Sequence, residues 1–183
     1  MRKVFATLFL ACVMVGGGRS LAAEQAVTYT RIGSGEYQNF VMNWDTEKNP
    51  VLCALIQTPD QYNAVFHPAP SMGDKRPFAP GPELYEKEQI LVVARVMTAI
   101  KHGDEDKVFE VQRLVTNGEA LELHYRFNEP TDKATWFVKN WLVLRIPKHE
   151  YKKVVLFEND KQLLELDLAK GQWSIPTRPP ADK

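Results

Sequence analysis

The sequence predicts a mainly β protein: a single antiparallel β-sandwich-like domain with one short helix. Three observations predict it. Short apolar runs separated by turn signals fill the chain from residue 90 onward. Leu121, Leu123, Tyr125 and Phe127 alternate with Glu122, His124 and Arg126, the period-two pattern of a strand with one face in the core and one in water. About 160 of the 183 residues remain once a 23-residue export segment is set aside. That length suits one core that buries roughly two-thirds of the unfolded surface.

The export segment comes first. Arg2 and Lys3 form a basic start, residues 4–15 are apolar apart from Thr7, and Gly16-Gly17-Gly18 ends the run. Ser20-Leu21-Ala22-Ala23 then offers small residues at a cleavage site near Ala22 or Ala23. The run is too short to span a bilayer as a helix, so the expected location is periplasmic or secreted, with no membrane span after cleavage. Cys12 follows a small residue, which leaves lipidation open as an alternative end for this segment.

From residue 24 a strand is expected over 27–32, broken by Gly33-Ser34-Gly35, and another over 37–44. Residues 51–56 are wholly apolar and read as a short buried strand. Thr58-Pro59-Asp60 then starts a helix over 61–66: a hydroxyl N-cap, proline in the first turn and an acid at the positive end. Residues 67–82 carry five prolines and two glycines and are expected to be a long loop.

The run 90–99 is almost continuously apolar, the signature of a central strand buried on both faces. Strands over 108–115 and 121–127 flank Asn117-Gly118, a tight-turn signal. A loop at 129–133 precedes a strand within 136–147. Segments 153–157 and 163–168 flank Glu158-Asn159-Asp160-Lys161 as a last hairpin. The globular domain is expected over 24–170, with 171–183 a proline-rich tail.

Charge and cysteine content narrow the function classes. The chain has 23 basic and 23 acidic residues. Arg2, Lys3 and Arg19 leave with the export segment, so the bases fall from 23 to 20 against 23 acids, a formal charge of −3. That balance argues against coating nucleic acid and against binding anionic lipid. Cys53 is the one cysteine of the mature chain and sits in an apolar run, so an inert buried thiol is expected rather than a disulfide.

The chemistry-bearing residues form no familiar spacing. His67, His102, His124 and His149 are far apart in sequence, and each is expected in solvent. Asp104-Glu105-Asp106 lies beside Lys101 and Lys107 and reads as a charged turn rather than a calcium loop. No nucleophile elbow or Ser-x-x-Lys pair marks a catalytic site. No cofactor, metal or catalytic residue is expected. The aromatic residues are the candidates for binding. Trp136 and Trp141 lie five apart on one extended segment and so point to opposite faces. Either an exposed tryptophan serves as a contact surface, or both are packed between layers.

Several segments carry a family resemblance. They are Gly33-Ser34-Gly35, Gln61-Tyr62-Asn63-Ala64-Val65-Phe66, the acid-rich lead Tyr85-Glu86-Lys87-Glu88 into Gln89-Ile90-Leu91-Val92-Val93, and Leu142-Val143-Leu144-Arg145-Ile146-Pro147-Lys148 followed by Lys152-Lys153-Val154. Over residues 30–160 the chain resembles the PrcB-like proteins, exported accessory subunits associated with a bacterial surface protease complex. The resemblance implies a β-rich exported domain that binds another exported protein. It departs where that family has a Thr-Gly-Gly-Tyr turn: this chain has Thr98-Ala99-Ile100-Lys101-His102. A role that depends on that turn does not carry over. The expected function is therefore non-catalytic binding or stabilisation of an exported partner, through Trp136, Trp141, Tyr85 and the proline-rich loop around Phe78. The alternative is a small-molecule or metal-binding module near His124 and the 104–106 acids. An enzyme with a dispersed site stays open as a third class.

Overall fold

The computed structural model describes residues 24–33, 39–41, 44–68, 78–99, 105–129 and 135–176. The expected export segment, Ser34-Gly35, most of the expected 67–82 loop, His102, Asp104, residues 130–134 and residues 177–183 lie outside them.

Two five-stranded sheets face each other. The first has the order β1 (Gln25–Ala26), β7 (Phe109–Asn117), β8 (Ala120–Phe127), β10 (Lys153–Glu158) and β11 (Lys161–Asp167). The second has the order β12 (Ser174–Ile175), β4 (Val51–Ile56), β6 (Glu88–Thr98), β9 (Phe137–Pro147) and β2 (Thr30–Ile32). A small ribbon pairs β3 (Asn39–Val41) with β5 (Phe66–Pro68). The protein is thus mainly β and sandwich-like.

The continuous apolar run became β6, the centre of its sheet, with both faces buried. Leu91, Val93 and Met97 point between the sheets, against Leu121, Leu123, Tyr125, Val154 and Leu156. Ile90, Val92 and Ala94 point the other way. There α1 (Pro59–Val65) and α2 (Leu84–Lys87) cover the sheet with Tyr62, Val65 and Tyr85. A strand that is apolar all along needs such a layer on each side. The N-cap of α1 is the expected one: Thr58 Oγ1 accepts from Gln61 N at 3.2 Å.

Polar groups close the two ends of the inter-sheet core. At one end Arg95, on the inward face of β6, pairs with Glu158 of β10 and lies 4.5 Å over the Phe127 ring. Tyr125 Oη donates to the same carboxylate at 2.9 Å. At the other end Gln89, 0 % exposed, accepts from Gln57 Nε2 at 3.0 Å and donates to the carbonyl oxygen of His149 at 3.2 Å.

Four expectations need correction. Of the expected 27–32 strand only Thr30–Ile32 is strand, as β2 paired with β9; the separate β1 before it pairs with β7 in the opposite sheet. Pairing is not antiparallel throughout, because β8 and β10 run parallel; the chain crosses to the second sheet as β9 between them. The domain extends past residue 170, since Ser174 and Ile175 pair with Ala54 and Cys53. Finally, the polar face of β8 is only partly solvated: Arg126 is exposed and Glu122 half-buried, but His124 is not in solvent. His124 is 8 % exposed and stacks flat on Phe157 of β10, ring centres 4.1 Å apart. Arg113 and Glu122 flank it at 3.4 Å each, so neighbouring strands cover this part of the polar face with one another's side chains.

Candidate functional site

The four predicted contact residues do not form one surface. Tyr85 is 4 % exposed, in the apolar layer under α2. Its hydroxyl is buried without a hydrogen-bond partner, and burial pushes its pKa well above the ordinary tyrosine value. Phe78 packs partly buried against the same layer, 6.4 Å from the Tyr62 ring, and its carbonyl oxygen accepts from the Tyr62 hydroxyl. Trp141 is half-buried there as well. These three are packing residues for the outer face of the second sheet.

Trp136 is different. It precedes β9 and is 63 % exposed, and the next residue, Phe137, is 72 % exposed. The pair is held at a sheet end rather than on a free loop. The Trp136 carbonyl accepts from Ala99 N at 3.0 Å, and Phe137 is in register with Thr98 of β6. Alternation along β9 sends the two rings to opposite sides of the strand. About 17 Å of strand separates Trp136 from Trp141, which explains why one is exposed and the other packed. Phe137 was missed in the sequence. The signal was there: a Trp-Phe doublet leaves one large ring on each side of a strand end, where neither sheet face continues.

The charged residues near these aromatics are engaged. Lys139 lies 5.5 Å over the Trp44 ring, and Trp44 Nε1 donates to Asn49 O at 2.6 Å. Arg145 pairs with Glu88 across β6 and β9. Of the 104–106 acids the two described ones do not converge with other acids: Glu105 and Asp106 lie in a short 3-10 turn, and Asp106 is 3.7 Å from Arg31. His149 is exposed and lies against Tyr151, ring centres 4.8 Å apart. Among the described residues no group of three or more His, Cys, Asp or Glu side chains could hold a metal ion.

Clefts on the described surface include two of similar size. One, of about 440 Å³, lies between β7 and the β1–β2 crossover and is lined by Tyr29, Arg31, Asp106, Phe109 and Asn128. There Arg31 Nη1 donates to the Phe109 carbonyl at 2.8 Å, tying the edges of the two sheets together. The other, of about 420 Å³, lies at the Gln89 end of the sandwich. No helix among the described residues is long and apolar enough to cross a membrane.

Comparison with known proteins finds no matching family, no matching curated protein and no matching solved structure.

Proposed function

We propose that this chain is an exported, non-catalytic accessory domain that binds and steadies another exported protein. The observation that carries the proposal is the Trp136–Phe137 pair: two large aromatics, 63 % and 72 % exposed, fixed at the end of a paired strand. Exposed aromatics on a rigid frame lose little conformational entropy on binding, and tryptophan is the residue most enriched at interface hot spots. The fitting partner presents an apolar pocket for these rings with a polar rim. The export-like N-terminus and the resemblance to PrcB-like accessory subunits support the same reading.

The test is affinity capture from the exported fraction with the wild-type protein and the double variant Trp136→Ala/Phe137→Ala. The variant is expected to fold normally, because exposed substitutions change stability by only about 0.5 kcal/mol. A partner recovered by the wild type should fall at least roughly tenfold with the variant, as loss of a hot spot predicts. Equal recovery by both proteins, or nothing above background with either, overturns the proposal.

A further inference from the structure

The cleft at the Gln89 end brings together side chains from four separate segments. Gln57 and Gln61 come from the junction of β4 and α1, Glu119 from the β7–β8 turn, Glu150, Tyr151 and Lys152 from the β9–β10 connection, and Trp173 from the lead into β12. Its volume of about 420 Å³ falls in the range of small-molecule sites. We propose that it binds a neutral oligosaccharide.

The argument starts from hydrogen-bonding capacity. Gln61 Oε1 accepts from Gln57 N at 2.7 Å, which fixes the amide and leaves its Nε2 donors without a protein partner. Gln57 Nε2 is spent on Gln89 at 3.0 Å, which leaves the Gln57 side-chain oxygen as a free acceptor. The Tyr151 hydroxyl, the Trp173 indole N–H and the Glu150 carboxylate likewise have no protein partner. Donors and acceptors therefore both line the one hollow, and the two glutamines are already held in place.

Charge and shape then select the ligand class. Lys152 Nζ is 2.6 Å from Glu119, so the one cation of the lining is neutralised. Glu150 adds a negative charge, which disfavours phosphates, nucleotides and carboxylates. A wholly apolar ligand would strip water from the indole N–H, amide and hydroxyl and return no hydrogen bond, at about 1–3 kcal/mol each. An extended peptide takes its affinity from a backbone ladder along one strand edge, whereas these groups are side chains spread over four segments. A neutral pyranose chain presents what the cleft lacks: hydroxyls that both donate and accept, and a C–H face to lie against the half-buried Trp173.

The test is calorimetric titration and saturation-transfer NMR of the full chain with cellotetraose, maltotetraose and tetra-N-acetylchitotetraose. At least one should bind saturably, with a dissociation constant between about 10 μM and 1 mM. Tyr151→Phe keeps the ring and removes the hydroxyl. Gln61→Glu keeps the oxygen that accepts from Gln57 and removes the free donors. Each should weaken binding about tenfold, the loss of one good hydrogen bond, with an unchanged circular dichroism spectrum. No saturable binding of any of the three sugars up to roughly 10 mM overturns the proposal. So does binding that both variants leave intact. Trp136 and Phe137 play no part in this cleft, so the outcome is independent of the partner-binding reading.

Discussion

Arg95 occupies a position that strand alternation assigns to the inter-sheet core, between Val93 and Met97. It is tolerated there because Glu158 pairs with it, Tyr125 donates to that carboxylate and Phe127 offers its ring face. The side chains of the pair are only 20 % and 14 % exposed, so removing one partner strands a largely buried charge. Glu158→Ala should cost about 3 kcal/mol, the low end for a broken buried pair. Arg95→Met/Glu158→Leu, which removes both charges, should return to within about 1 kcal/mol of the wild type. Urea denaturation of the three proteins decides it: a single variant as stable as the wild type means that the pair holds nothing.

At the scale of elements, the β10–β11 hairpin turns on two residues. Glu158 pairs with Lys161, and Asn159 and Asp160 between them have φ of 49° and 65°. Both values lie in the left-handed region that strand twist demands of a two-residue loop. Asn159 also accepts from Phe127 N at 3.1 Å through its side chain, which anchors the turn to β8. Asp160 has only the strain, so Asp160→Gly should raise stability by about 0.5–1 kcal/mol. Asn159→Ala should lower it by about 1–2 kcal/mol. The midpoint of chemical denaturation at constant slope reports both changes; a loss of stability in Asp160→Gly refutes the account. This hairpin was legible because Asn-Asp flanked by apolar runs is a local signal. So were β4, β6 and the start of α1, where burial on both faces or a cap is written in consecutive residues. The parallel β8–β10 pair was not legible, because nothing local encodes which strand a returning chain joins. The burial of His124 was missed for the same reason: its cover is Phe157, 33 residues away in sequence. At the candidate site, Trp136 was legible as a large aromatic at a strand start. The packing of Tyr85 and Phe78 was not legible because the layer that absorbs them is completed by α1 and by the outer faces of β4, β6 and β9.

Across the whole molecule, burial raises the pKa of three tyrosines: Tyr125 and Tyr151 in the inter-sheet core and Tyr85 in the outer layer. The sign of the linkage follows. Above pH 10.0, the ordinary tyrosine value, the unfolded chain releases these protons while the folded one keeps them. The unfolded state then binds fewer protons, so stability falls as pH rises from there. Both apolar layers lose support together. Near pH 11, phenolate absorbance of the native protein should fall about two tyrosines short of the denatured chain, those of Tyr85 and Tyr125, with Tyr151 adding to the deficit. Full ionisation alongside a native circular dichroism spectrum refutes this.

The same layering settles the chemical fate of Cys53. Its thiol is 0 % exposed within the inter-sheet cluster, on a strand flanked by β6 and β12, and burial pushes its pKa far up. The thiolate, not the thiol, is what reacts with oxidants and attacks disulfides, so the closed sandwich is chemically silent at this position. In an oxidising compartment the hazard is therefore confined to the time before the two sheets meet. A cysteine placed here rewards rapid closure: once Ile175 docks beside it, no wrong partner can reach the sulfur.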